Sequence, residues 1–125
     1  MRSVFSPDAP APIGPYSQAV ETESFVFFSG QVPIVPAEGK LIEGDMATQT
    51  DQALKNLGEV LKAAALSYAH VVKTTIFLID MADFATVNTV YAKYFGETKP
   101  ARTTVAVAGL PLGARVEIDA IARRA

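Results

Sequence analysis

Arg102 and Glu117 are the two charged residues whose placement suggests chemistry. Both lie in the stretch Pro100 to Ile121, which runs as an alternating, β-branched segment, then a cluster holding Gly109, Pro111 and Gly113, then a second alternating segment from Ala114. Alternation reads as strand and the glycine–proline cluster as turn, so the stretch is predicted to form a hairpin. Side chains alternate faces along a strand. Arg102, Thr104, Ala106 and Ala108 therefore share one face of the first strand, and Arg115, Glu117 and Asp119 share one face of the second. With the turn centred between Pro111 and Leu112, Ala106 lies across from Glu117, and Arg102 and Glu117 look out on the same face, offset along the strands. An offset pair is too far apart for a simple cross-strand salt bridge, but it can hold a small molecule between a guanidinium and a carboxylate. The pattern leaves the other reading open, two solvated strand charges.

Earlier elements must position this pair. Val4 and Phe5 open a short edge strand, and Pro7, Pro10, Pro12 and Pro15 then impose an extended loop. Tyr16 stands where rigid loop becomes strand, its phenol either packing or presenting a hydroxyl to a ligand. Gln18 to Glu21 and Phe25 to Val32 read as strands joined by a turn at Thr22 to Ser24. The second strand is apolar on both faces and breaks at Ser29-Gly30-Gln31, where a glycine marks a bulge or the close approach of a backbone or ligand. Pro33 to Gly44 reads as loop. Asp45 caps a helix whose apolar stripe runs through Met46, Ala53, Leu57 and Leu61, with Gly58 admitting close packing on the sheet. Val71 to Ile79 is the next strand, again apolar on both faces. A second helix starts near Asp80 to Asp83, carries Phe84, Val87, Tyr91 and Tyr94 on one stripe, and ends at Gly96. Asn88 lies off that stripe and reads as a surface residue.

The order is strand, strand, helix, strand, helix, strand, strand, with no repeat or linker. This predicts a single α+β domain over residues 1–125, a two-layer arrangement of a mixed sheet with two helices on one face. Two helices cannot cover both faces of strands that are apolar on both sides, and another copy of the chain is the economical cover.

Composition narrows the chemistry. The chain has 125 residues, 50% of them hydrophobic and 19% charged, which suits one globular domain. Its net charge is −2 and it has no basic run, which argues against a nucleic-acid surface. With no cysteine, a disulfide framework, a thiolate nucleophile and a cysteine-ligated metal are excluded. His70 is the one histidine and has no partner for a zinc site; it reads as a loop or surface residue at a strand entry. No apolar run approaches a membrane span and no signal-type segment opens the chain, so the expectation is a cytoplasmic protein without a membrane partner.

Several short motifs recur in a telling order: Ile13-Gly14-Pro15-Tyr16-Ser17-Gln18-Ala19, Phe28-Ser29-Gly30-Gln31, Val72-Lys73-Thr74-Thr75, Val87-Asn88-Thr89-Val90-Tyr91, Pro100-Ala101-Arg102, and Val116-Glu117-Ile118. In order and spacing, over nearly the whole chain, these resemble the RidA family of reactive-intermediate deaminases, formerly the YjgF type. The resemblance implies a chorismate-mutase-like α+β fold, a homotrimer, and a site in each cleft between subunits. It implies hydrolysis of enamines and imines derived from amino acids, such as 2-aminoacrylate, 2-iminobutanoate and 2-iminopropanoate, to 2-oxo acids and ammonia, with no cofactor and no metal. Arg102 matches the arginine that pairs with the substrate carboxylate, and Glu117 the glutamate that positions or activates water. Tyr16, Gly30 and Asn88 match other positions near the site. Thr104 stands on the substrate side where the family usually has cysteine. A non-catalytic module that binds or senses small carboxylates would use the same cleft. An RNA-cleaving translation inhibitor is a further alternative, against which the acidic balance counts. Chorismate mutase rests on fold alone.

Overall fold

Apolar residues follow Asp45 at helical spacing, and in the computed structural model, which describes residues 1–124, they form a long helix. In chain order the elements are β1 (Arg2–Val4), β2 (Ala19–Glu21), β3 (Phe25–Gln31), β4 (Ile34–Val35), β5 (Lys40–Leu41), α1 (Met46–Ala63), β6 (Val71–Leu78), α2 (Phe84–Phe95), β7 (Ala101–Ala106) and β8 (Val116–Arg123). The Asp45 carboxylate accepts a hydrogen bond from the Thr48 backbone N–H at 2.9 Å, satisfying one orphan donor of the first turn of α1. Ala53, Leu54, Leu57, Val60 and Leu61 are buried along one stripe of α1, and Val87, Val90, Tyr91 and Phe95 along one stripe of α2. Both stripes join a single core with Val26, Phe28, Ile76, Leu78 and Ile118 of the sheet. The two-layer α+β architecture, with two helices on one face of a mixed sheet, therefore stands.

Six strands form the sheet in the order β1-β2-β3-β8-β6-β7. Only β6 and β7 are parallel. The hairpin expected over Pro100 to Ile121 does not form. β7 pairs with one edge of β6 and β8 with the other, so β6 separates them. The register is likewise different: Glu117 lies opposite Phe77, and Ala106 opposite Leu78. The cause is the helix between β6 and β7. A strand–helix–strand crossover returns the chain parallel to its first strand, which leaves only the far edge of β6 for β8. β4 and β5 make a small hairpin of their own inside the segment expected to be loop.

Gly58 admits a side chain rather than the sheet. A Cβ there would overlap the Tyr68 hydroxyl, which donates to the Leu54 carbonyl at 2.6 Å. His70 caps the turn entering β6, its Nδ1 accepting from the Ser67 N–H at 3.1 Å.

The sheet face away from the helices is uncovered, and it mixes apolar side chains with Glu117, Asp119, Thr75 and Lys73. Phe25 and Phe27 form an exposed aromatic patch there, 43% and 45% exposed, and Val105 is exposed on the same face at the β7 edge. Surfaces of this kind mark interaction sites on a lone chain.

Candidate active site

Register decides which side chains can meet. Arg102 lies opposite Thr74, which lies opposite Ala120, and this row points to the helices. Glu117, Phe77 and Val105 form a row three residues further along, on the open face. Arg102 and Glu117 thus occupy opposite faces of the sheet, not the shared face expected from a hairpin. The difference follows from the interposed β6, since pairing register sets which residues share a row.

Glu117 sits against a deliberate irregularity. Between Phe28 and Gln31 the β3 strand carries one residue more than β8, a bulge that contains Gly30. A Cβ on Gly30 would lie 2.6 Å from the Glu117 carboxyl carbon and 2.7 Å from its Oε2. The glycine is what lets the carboxyl rest on the backbone. Burial pushes the Glu117 carboxyl above its ordinary range, and the nearby Asp119 charge pushes it further the same way. No cation pairs with it among the described residues. Glu117, Gly30, Gln31, Tyr16 and Pro111 line a cavity of about 360 Å³.

The wall of that cavity is the proline-rich loop, which is tied down by Gln18. Its buried side chain accepts from the Ser6 N–H at 2.6 Å and donates to the Ser6 and Pro10 carbonyls at 3.1 and 2.9 Å. Ser29 adds a second tie, its Oγ donating to the Ser17 carbonyl at 2.6 Å. Tyr16 is half-exposed at the mouth, its hydroxyl accepting a long 3.4 Å bond from the Ile13 N–H. Periodicity alone does not mark Gln18 or Ser29 as loop anchors. The break in apolar alternation at Ser29-Gly30-Gln31 was the available signal for the serine.

Arg102 belongs to a second cavity of about 390 Å³, shared with Asn88, Tyr91 and Pro100. Its guanidinium carbon stands 4.8 Å from the Tyr91 ring centroid and 5.6 Å from that of Phe84. No carboxylate pairs with it among the described residues. Asn88 is not a plain surface residue: half-buried, it comes to Arg102 because Phe84, Asn88 and Tyr91 fall at helical spacing on the stripe of α2 facing β7. Thr104 lies on the Arg102 side of β7, and its hydroxyl is shut away without a hydrogen-bond partner. β7 is the sheet edge. The Val107 N–H turns inward to the Leu78 carbonyl, so alternation along the strand directs the Arg102 and Thr104 N–H groups outward. That edge offers backbone donors beside a free guanidinium. Among the described residues no group of three or more His, Cys, Asp or Glu side chains is placed to hold a metal ion.

A free guanidinium with backbone donors on one side and a half-buried carboxyl of raised pKa on the other equip a small α+β domain to handle small carboxylates. The chain belongs to the family described as Endoribonuclease L-PSP, whose model matches residues 6–124. Several of its relatives are named as deaminases, in line with the family that the sequence motifs resemble. It is 54% identical over 114 residues to Reactive Intermediate Deaminase A, chloroplastic, of Arabidopsis thaliana, covering 91% of this chain but 61% of that protein. It is 54% identical, again over 114 residues, to the 2-iminobutanoate/2-iminopropanoate deaminase of Mus musculus, covering 91% of this chain and 84% of the relative. The crystal structure of E. coli TdcF with bound serine superposes with a TM-score of 0.95 at 41% identity, covering 100% of both chains.

Proposed function

We propose that the chain is an enzyme that hydrolyses small 2-imino acids, and the enamines in equilibrium with them, to 2-oxo acids and ammonia. The deaminase relatives at about half identity support the reaction. The observation that carries the mechanism is the unpaired Arg102 guanidinium on one face and the half-buried, unpaired Glu117 carboxyl seated over Gly30 on the other. Arg102 takes the substrate carboxylate through its planar fork, helped by the outward Thr104 N–H. Glu117 removes a proton from water as the water oxygen bonds to the imine carbon. Glu117 returns that proton to nitrogen to give a neutral carbinolamine, which collapses as its hydroxyl proton passes through Glu117 to the amino nitrogen, the C–N bond breaks, the C=O bond forms and ammonia leaves. Water is the only co-reactant, so the balance requires no oxidant, metal or cofactor. Tyr16 and Asn88 bound the site from its two sides.

Opposite faces of one sheet cannot enclose one small molecule. The complete site therefore joins the Arg102 face of one copy to the Glu117 face of the next. Two different surfaces meeting head to tail make a ring when the rotation closes. With the uncovered Phe25 and Phe27 face, this supports the homotrimer that the family resemblance implies. The occupant is a small carboxylate rather than RNA, because the chain has a net charge of −2. No helix among the described residues is long and apolar enough to cross a membrane. A cytoplasmic setting is part of the same proposal.

Imines generated in place by an amino-acid oxidase test the activity: the protein is expected to speed ammonia release and to outcompete semicarbazide. Binding of 2-oxobutanoate without any acceleration would leave only a carboxylate-binding module. Light scattering at micromolar concentration is expected to give a trimer, and a monomer with full activity would refute the shared site. Gly30→Ala pushes the Glu117 carboxyl off its seat by about an ångström, and misplacement on that scale costs roughly a hundredfold in turnover. Its melting temperature is expected to stay near that of the parent, since only a side-chain end must move.

A further inference from the structure

Arg102 is held without being neutralised. Its guanidinium lies over the Tyr91 face at 4.8 Å and near the Phe84 ring at 5.6 Å, both within the range of cation–π attraction. The Tyr91 ring is itself fixed. It is buried, its hydroxyl shares a 2.7 Å hydrogen bond with the Thr74 hydroxyl, and its centroid is 4.7 Å from that of Phe95. Thr74 is the residue directly opposite Arg102 in the sheet. The ring is thus anchored to the strand next to the one that carries the arginine. A carboxylate in the same place would also orient the guanidinium, but it would occupy the donors that a substrate needs. An aromatic face attracts the cation and leaves the in-plane N–H groups free. Burial keeps the Tyr91 phenol above its ordinary pKa, so the ring stays neutral.

We propose that Tyr91, seconded by Phe84, is the positioning residue that sets the direction of the Arg102 fork and so the orientation of the substrate carboxylate. This rests on the carboxylate role given to Arg102 above. Tyr91 acts through the arginine and need not touch the substrate.

The test uses 2-oxobutanoate as probe, with calorimetric affinity and imine-hydrolysis kinetics measured on the same preparations. Tyr91→Leu removes the ring face, and affinity is expected to fall about tenfold with KM rising in step. Tyr91→Phe keeps the ring and loses only the bond to Thr74. It is expected to recover most of the affinity while melting lower than the parent. Phe84→Leu, at a partly exposed position that tolerates change, is expected to weaken binding by about threefold. It keeps the test alive if Tyr91→Leu does not fold. Wild-type affinity in both leucine variants would overturn the proposal, as would Tyr91→Phe losing as much affinity as Tyr91→Leu, the signature of a purely structural hydroxyl. Failure of the parent protein itself to bind 2-oxobutanoate would instead remove the carboxylate role of Arg102, and the proposal with it.

Discussion

Arg102→Ala is expected to yield a folded, assembled protein with no measurable imine hydrolysis. The substrate is a small imine with one carboxylate and little else to grip. Removing one partner of a desolvated charge pair costs ~2–5 kcal/mol, which is roughly thirtyfold to several-thousandfold in binding. Arg102→Lys keeps the charge but loses the planar fork and its stacking on the rings, so only a small fraction of activity is expected to survive. The fold should not notice either change. Arg102 has no ion pair among the described residues, and its row in the sheet is anchored by the buried Thr74 and Ala120. Hydrolysis and oligomeric state measured on one preparation decide the matter. An assembled Arg102→Ala protein with near-normal turnover removes the carboxylate clamp, and one that falls apart makes the arginine a structural residue.

Glu117→Gln is expected to lose activity and gain stability. Loss of a general base costs about a hundredfold to ten-thousandfold in rate. The stability gain follows from the direction of the pKa. Burial and Asp119 raise the folded-state pKa of Glu117 above its ordinary 4.5. The folded state therefore holds this proton more tightly than the unfolded one. The associated stability is fully present below 4.5 and is lost as pH rises through the raised folded value. At neutral pH the ionised carboxylate is a burden that glutamine lacks. The variant should melt higher than the parent at pH 7, and the two should converge in acid. Activity of the parent should fall as pH drops through the same raised value, because the base must be ionised to accept a proton. A Glu117→Gln protein that is active, or that melts lower than the parent at neutral pH, contradicts the assignment.

The elements were legible because their periods are strong. The stripe from Met46 to Leu61 and the cap at Asp45 required no tertiary information. The break at Ser29-Gly30-Gln31 was also visible, and it proved to be the bulge that seats Glu117. Strand pairing was not legible from alternation. Period-two patterning around Arg102 and Glu117 assigns faces within each strand but names no neighbour. The proximity of the two strands in sequence suggested a hairpin. The helix between β6 and β7 held the better clue, since a crossover joins parallel strands. Asn88 departs from its sequence pattern for a related reason. Its quarter-turn displacement from Val87 and Tyr94 looked like exposure, whereas the edge strand β7 receives that side of the helix. Phe84 and Tyr91 fall on a core stripe by spacing, and nothing in a linear sequence places a guanidinium above a ring.

Dividing a site between the two sides of one sheet has a consequence for stoichiometry. In the proposed shared site a solitary chain would carry both halves and use neither, so a newly made copy would be inert until it met its neighbours. A row of chains that fails to close always strands one unmatched half at each end, and every break in a ring removes a working site. Closure of the proposed ring would give as many sites as chains with nothing left over. Activity per chain would then report on completeness of assembly, and dilution would switch the protein off without unfolding any part of it.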